Sequence, residues 1–205
     1  MKVVLTSQEC GILQATLRDF MRSNPVQRRG IEAFCDVVRE EFDGSCDTLV
    51  EVGCFTGANI RRFSQVCRRL CLVDPMSESY YHGYFGHPDR ELVDKFRRLW
   101  LPALWHELLQ CPKAEWYWGP SEWAAQQFAE GSVDVVYIDA LHDVDSVLAD
   151  IQAWRPKLRA HSILAGHDYG PSWPGVGRAV VQIGVPLDGV LCDGTWYAIQ
   201  KKNGA

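Results

Sequence analysis

Between residues 47 and 74 the apolar positions fall in two short runs separated by a polar, glycine-bearing turn. The first run, Leu49, Val50 and Val52, reaches Gly53, and the second, Leu70, Leu72 and Val73, ends on Asp74. Runs this short, bounded by turn residues, predict buried strands, and the stretch between them predicts a helix opening at Gly57. A strand, a glycine loop, a helix and a second strand capped by an acid is the form in which an open parallel sheet receives an adenosyl ligand.

The same patterns extend along the chain. Thr6 to Glu9 forms a capping box ahead of Leu13, Leu17, Phe20 and Met21, which predicts a helix over 6–22. Asn24-Pro25 breaks it, and Ile31, Phe34, Cys35, Val38 and Phe42 mark a second helix up to Asp43-Gly44. After Asp74 the pattern is least regular: Tyr80, Tyr81, Tyr84 and Phe85, with Gly83 and Gly86 among them, read as a loop over 80–87, and 90–109 reads helical with Pro102 inside it. Further strands are expected at Ala114 to Trp118, Val133 to Ile138 and Ser162 to Ala165, with helices near Ser121, over 144–154 and over 174–183. Gly189 to Cys192 and Thr195 to Gln200 read as two strands joined by a two-residue turn at Asp193-Gly194.

Composition narrows the setting. With 205 residues and 47% hydrophobic side chains, one domain with a sizeable core is expected. A net charge of −5 excludes a surface built to coat nucleic acid, and the arginine pairs at 28/29, 61/62, 68/69 and 97/98 read as solvated helix faces. The eight cysteines contain no C-x-x-C and mostly sit inside apolar patterns, so a reducing, cytoplasmic setting is expected. Met1 to Val4 leads straight into polar residues and no apolar run approaches a membrane span, so neither a signal peptide nor a membrane partner is expected.

The glycine turn carries the first chemical clue. Gly53 allows close backbone approach at the strand end, Gly57 does so at the helix start, and Asp74, twenty-one positions after Gly53, can accept both hydrogens of a ribose diol. A dinucleotide fingerprint requires glycine at positions 55 and 58, but these are Phe55 and Ala58. The motif is E-x-G-x-x-x-G with Glu51 beside the turn, which suits a cationic ligand without phosphate. A nicotinamide oxidoreductase is therefore the weaker alternative.

VEVGCFTG followed by LVDP, VDVVYIDALHDVDSVLADIQAW and ILAGHDYGPSWPGVGRAV resembles the class I S-adenosylmethionine-dependent methyltransferases over roughly residues 47–201. More narrowly it is similar to the small-molecule O-methyltransferases with IDG-x-H and GHDY motifs. The resemblance implies an α/β Rossmann-like fold: a mostly parallel seven-stranded sheet with a carboxy-terminal antiparallel hairpin and helices on both faces. It makes 1–205 one methyltransferase domain, with N-terminal helices over 1–45 and an acceptor-side insertion over 75–112. The first N-terminal helix would lie over the acceptor or serve packing alone, and the 80–87 loop would be a lid or a surface loop. S-adenosylmethionine would be held by Glu51, Gly53, Phe55, Gly57, Asp74 and Asp139, with Ser121 and Trp123 at the adenine. Ser121 is equally well described as a helix cap.

Asp139 and His142 follow the fourth predicted strand, and His167 and Asp168 the fifth, so four polar groups meet at one rim. A hydroxyl acceptor must lose its proton before it attacks a sulfonium methyl. In metal-dependent relatives a divalent cation assists, and by position its ligands here would be Asp139, His167 and Asp168. Imidazole in that set suits Mn, Fe or Zn better than Mg. The other device is a general base, and His142, with Asp139, is the candidate, an imidazole being able to take a proton near neutral pH. The plain alternatives are that His142 and Asp143 cap the next helix, Asp168 caps a turn, and His167 is a buried histidine bonded to backbone. The fourth strand lacks the [DN]-P-P-[YFW] element used on flipped bases, so the expected partner is a small-molecule acceptor, a sugar or a phenol, and not nucleic acid. The expected assembly is a monomer or homodimer, and a non-catalytic S-adenosylmethionine-binding module is the other reading of the same residues.

Overall fold

The computed structural model describes residues 25–76 and 101–201. Helix α1 (Pro25–Glu41) opens on proline, whose missing N–H is no loss in a first turn, and buries Ile31, Phe34, Cys35 and Val38 as the stripe predicts. Strand β1 (Cys46–Val52), the short helix α2 (Ile60–Phe63) and strand β2 (Cys67–Val73) follow. Residues 101–109 are helical (α3), ahead of β3 (Ala114–Tyr117), α4 (Ser121–Ala125), β4 (Val133–Ile138) and α5 (Val144–Trp154). Strand β5 (Leu158–Gly166), α6 (Pro174–Gln182), β6 (Gly189–Val190) and β7 (Trp196–Gln200) complete the order.

The seven strands form one sheet in the order β3-β2-β1-β4-β5-β7-β6. All pairings are parallel except those of β7, which runs antiparallel to β5 and β6. This is the mostly parallel sheet with an antiparallel carboxy-terminal hairpin that the family resemblance implies. Side chains alternate between two cores. Leu49, Leu70, Val135, Tyr137 and Ile163 pack with α1, α2 and α3, while Val50, Val52, Val136, Ile138 and Leu164 pack with α4, α5 and α6. Tyr137 centres the first core, with its ring 5.1 Å from those of Phe34 and Phe63.

At the amino ends of the strands a buried carboxylate ties three of them together. Asp134 accepts the Thr48 N–H at 2.7 Å and the Arg159 guanidinium at 2.7 Å, and Arg159 also reaches Asp47 at 3.2 Å. These contacts join the starts of β1, β4 and β5.

Several boundaries differ from the pattern reading, each for a physical reason. The first loop runs to Asn59, so the helix begins at Ile60 and not at Gly57, whose φ of +75° is not helical. Strand β5 starts at Leu158; its register against β4 shifts between Val133 and Val135, and regular pairing resumes at Ile163, next to the predicted start at Ser162. The hairpin turn has three residues. Gly194 donates to the Leu191 carbonyl at 3.0 Å and Leu191 to that of Thr195 at 2.7 Å, with Gly194 at φ +89°. That is a turn closed by a glycine bulge. Arg68 and Arg69 lie on β2 and not on a helix. The helix expected over 6–22, the aromatic loop at 80–87 and residues 90–100 of the third helical stretch lie outside the described residues. No helix among the described residues is long and apolar enough to cross a membrane.

Candidate active site

At the carboxyl end of β1 the chain turns at Gly53, whose φ is +88° and whose N–H donates to Val73 O at 2.8 Å. The glycine is required by the protein itself: a Cβ there would stand 2.1 Å from the Asp139 carbonyl oxygen. Gly57 likewise faces Ile60 and Leu104, whose Cδ1 atoms would lie 2.7 and 3.1 Å from a Cβ. Close approach to a ligand is thus not what these two positions first demand. Phe55, between them, holds φ +46°, and its N–H donates to Asp74 at 2.9 Å. The second Asp74 oxygen accepts from Met76 N–H at 2.8 Å. Phe55, Met76 and Asp168, at the ends of β1, β2 and β5, are three of the four non-glycine positions with positive φ among the described residues. Strain of this kind gathers where a site has to be held in shape.

Register decides which polar groups meet. Val52 pairs with Ile138 and Ile138 with Gly166, so the next residues, Gly53, Asp139 and His167, fall side by side across three strands. Alternation then turns Glu51, Asp139 and His167 towards the α1 side of the sheet. Glu51 is 1% exposed; Asn59 Nδ2 donates to its Oε1 at 2.8 Å, and Oε2 has no partner among the described residues. Burial, with the nearby charges of Asp139 and Asp74, pushes the Glu51 pKa up to about 8 against the Asn59 hydrogen bond. Burial also raises Asp139, to about 6; the charges of Asp168 and Asp193 add to this, while His167 and His142 oppose it.

His142 follows β4 by four residues. Its ring stacks on Trp173 with centroids 4.3 Å apart, and its Nε2 stands 2.6 Å from Asp168 Oδ2. The loop is fixed from beneath by α6, since a Cβ on Gly175 would stand 2.2 Å from the His142 carbonyl oxygen. Asp143, not His142, caps α5, accepting from Ser146 N–H at 3.0 Å. His167 Nδ1 lies 3.2 Å from Asp168 Oδ1 and 3.8 Å from Asp139 Oδ1, and its Nε2 lies 3.5 Å from Asp193 Oδ2. Burial opposes a charge on His167, but contacts with Asp168 and Asp193 and the Asp139 charge outweigh it and push its pKa up to about 11. Asp168 is held well below the usual carboxylate range, the hydrogen bonds and charges of His142 and His167 outweighing its burial.

The structure therefore gathers Asp139, His142, His167 and Asp168 at one rim, beside Glu51, Gly53 and Asp74. One oxygen each of Asp139 and Asp168 and one nitrogen of His142 lie within 4.8 Å of one another, a spacing that suits a divalent cation. Ser121 is not the cap of its helix; that position is Pro120. The Ser121 hydroxyl instead accepts from the Trp154 indole at 2.9 Å and meets the buried Asp150, latching α4 to α5. Trp123 is 45% exposed and folds over Gly119. Asp193, Asn59 and Trp173 are contributors that the sequence did not single out. Asp193 carried a turn signal only, and nothing in its spacing reveals a carboxylate that ends 1% exposed against His167.

No curated protein sequence matches the chain. Among solved structures, cofactor-bound Rv0187 from MTB superposes with a TM-score of 0.60 at 14% identity, covering 98% of this chain and 94% of that one. A methyltransferase from Geobacter sulfurreducens gives 0.57 at 13% identity, covering 98% and 99%. SMU.1697c of Streptococcus mutans, in complex with SAH, gives 0.57 at 11% identity, covering 83% and 96%. At such identities these neighbours establish the fold. A family model described as a methyltransferase domain matches residues 50–169, which run from β1 through the glycine loop and both rim histidines to Tyr169. That match spans more than half of the chain, which belongs to this methyltransferase-domain family.

Proposed function

We propose that the protein transfers a methyl group from S-adenosylmethionine to a hydroxyl of a small molecule, a phenol or a sugar, with His142 as the base. The observation that carries this reading is the His142–Asp168 contact at 2.6 Å, next to Asp139 and on the same rim as the glycine loop. A carboxylate against one ring nitrogen orients an imidazole and stabilises the charge it gains on taking a proton.

The cofactor fits the chemistry of the cradle. Asp139 and Asp74 lie close enough to Glu51 for their charges to add to the burial that raises its pKa, and Glu51 keeps a buried oxygen without a partner among the described residues. Such a pocket favours a ligand carrying a sulfonium and an ammonium, and repels a pyrophosphate. The SAH held by the Streptococcus mutans neighbour supports the same choice. When bound, S-adenosylmethionine supplies the methyl carbon and its own leaving group. The residues of the chain do the rest: Glu51 and Asp74 hold the ligand, Phe55, Ser121 and Trp123 border it, Asp139 faces the reacting end and His142 accepts the acceptor's proton.

A divalent metal is a second device that the rim can support, because two carboxylates and an imidazole are a donor set for Mn, Fe or Zn. It would lower the pKa of the acceptor hydroxyl. The test is calorimetric titration of EDTA-treated protein with S-adenosylmethionine, SAH and NADH, repeated with Mn or Mg, followed by a panel of phenols and sugars with labelled cofactor. Micromolar binding of the first two and none of NADH is expected; binding of NADH, or of nothing, overturns the reading.

A further inference from the structure

The loop after β1 carries three left-handed residues, Gly53, Phe55 and Gly57, at φ +88°, +46° and +75°. Gly57 N–H donates to Cys54 O at 2.7 Å, and the curl brings Asn59 back against Glu51, eight positions earlier. Both residues are buried, Asn59 at 8% and Glu51 at 1% exposure. Asn59 stands at the N-cap of α2, where an asparagine oxygen ordinarily accepts a backbone N–H of the first turn. Its side chain makes no such bond; the Arg62 and Phe63 amides go to the Asn59 carbonyl, each at 2.9 Å. The amide is given instead to Glu51, Nδ2 donating to Oε1 at 2.8 Å. A carboxylate only accepts, so the NH2 end of the amide has to face it.

This bond divides the Glu51 carboxylate. Oε1 is taken, while Oε2 is buried without a partner among the described residues. Burial and the charges of Asp139 and Asp74 favour the protonated acid, and the Asn59 amide opposes them. We propose that Asn59 is a positioning residue of the cofactor site: by occupying Oε1 it holds the Glu51 carboxylate in one direction, so that Oε2 receives the ammonium of the amino-acid end of S-adenosylmethionine. The inference rests on the methyl-transfer reading above and names the part of the ligand that Glu51 serves. A buried acceptor needs a donor, and of the two cationic groups of S-adenosylmethionine only the ammonium has N–H to give; the sulfonium has none.

The test is calorimetric titration of the full chain with S-adenosylmethionine, SAH and methylthioadenosine, the last of which lacks the amino-acid end. Asn59→Ala should weaken the first two about tenfold and leave the third within about threefold. Asn59→Asp keeps the shape and is an equally good N-cap, but sets a second carboxylate against Oε1, so it should weaken them further. Thermal melting accompanies each titration, and if Asn59→Ala unfolds, Asn59→Asp decides by the same split between ligands. On a Glu51→Gln background Asn59→Ala should add less than about threefold, because the amide acts through the carboxylate; this cycle decides if methylthioadenosine binds too weakly to measure. A residue that merely supports the loop would weaken all three ligands on either background, and that result overturns the proposal. So does a loss confined to S-adenosylmethionine with SAH unchanged, which would put the sulfonium at Glu51. If the Asn59 variants bind all three ligands as the wild type does, this inference falls and the cofactor reading stands; wild-type protein that binds none of them overturns both.

Discussion

The backbone at Gly53 lies against Asp139 so closely that a Cβ on Gly53 would stand 2.1 Å from the Asp139 carbonyl oxygen and 2.7 Å from Ala140 Cα. The glycine motif on β1 and the acid after β4 are thus one packed unit, and the position of Asp139 depends on the absence of a side chain at Gly53. Gly53→Ala meets both this clash and a φ of +88°. A loss of about 2–4 kcal/mol is expected, seen as a lower melting temperature and weakened S-adenosylmethionine binding together.

Replacing His142 by Ala should lower methyl transfer by about 10²- to 10⁴-fold while leaving S-adenosylmethionine affinity within about threefold. Asp168→Asn should fall between the variant and the wild type, since the amide still meets the ring but no longer balances its charge. Labelled-cofactor turnover on any acceptor found by the panel, paired with calorimetry, measures both. Equal losses in cofactor binding would mean that the pair builds the pocket and does not act on the acceptor.

Glu51 should trade stability for binding. Its folded pKa, raised to about 8, lies above the value of a free carboxyl, so the folded state holds the proton more tightly than the unfolded chain. Its contribution to stability is therefore greatest in acid and declines as pH rises from about 4.5 towards 8. Glu51→Gln removes the charge and keeps the shape, so at pH 8 the free variant should melt higher than the wild type and bind S-adenosylmethionine at least about tenfold more weakly. A variant that melts higher and binds equally well would show that the cation rests elsewhere.

Asp150 offers the same sign away from the rim. Burial raises its pKa to about 6, with the Ser121 hydrogen bond opposing, and the side chain faces the latch between α4 and α5. Stability is greatest below the unfolded value near 3.8 and falls as pH climbs to about 6. Asp150→Asn should equal the wild type near pH 4 and exceed it above pH 6, by on the order of 3 kcal/mol at most. Urea unfolding at pH 4.5 and 7.5 reads the difference.

The sheet was legible because its strands announce themselves. Val133–Ile138 and Val144–Trp154 fall where the alternation and the three-four spacing put them. Local pattern misled where a tertiary partner decided the matter. Gly57 looked like a helix start but serves a left-handed turn packed on Leu104, and Ser121 looked like a cap but gives its hydroxyl to Trp154. The four rim groups could be grouped because each lies within four residues of the end of β4 or β5. Asp193 could not, since it reaches His167 only through the antiparallel return of β7 and the bulged turn at Gly194. A residue that acts across a fold, and not along a motif, leaves no spacing to read.

The clamp of Asp134 on Thr48 and Arg159 sits at the end of the sheet away from the rim. Alignment of β1, β4 and β5 is locked there, at the opposite end of the sheet, so the loops beyond Gly53, Asp139 and Gly166 share the burden of keeping the strands in step with a fixed point far from the rim. Changes of acceptor preference can accumulate in those loops as in interchangeable tool heads on one fixed handle, with the relative height of Asp139 and His167 preserved throughout.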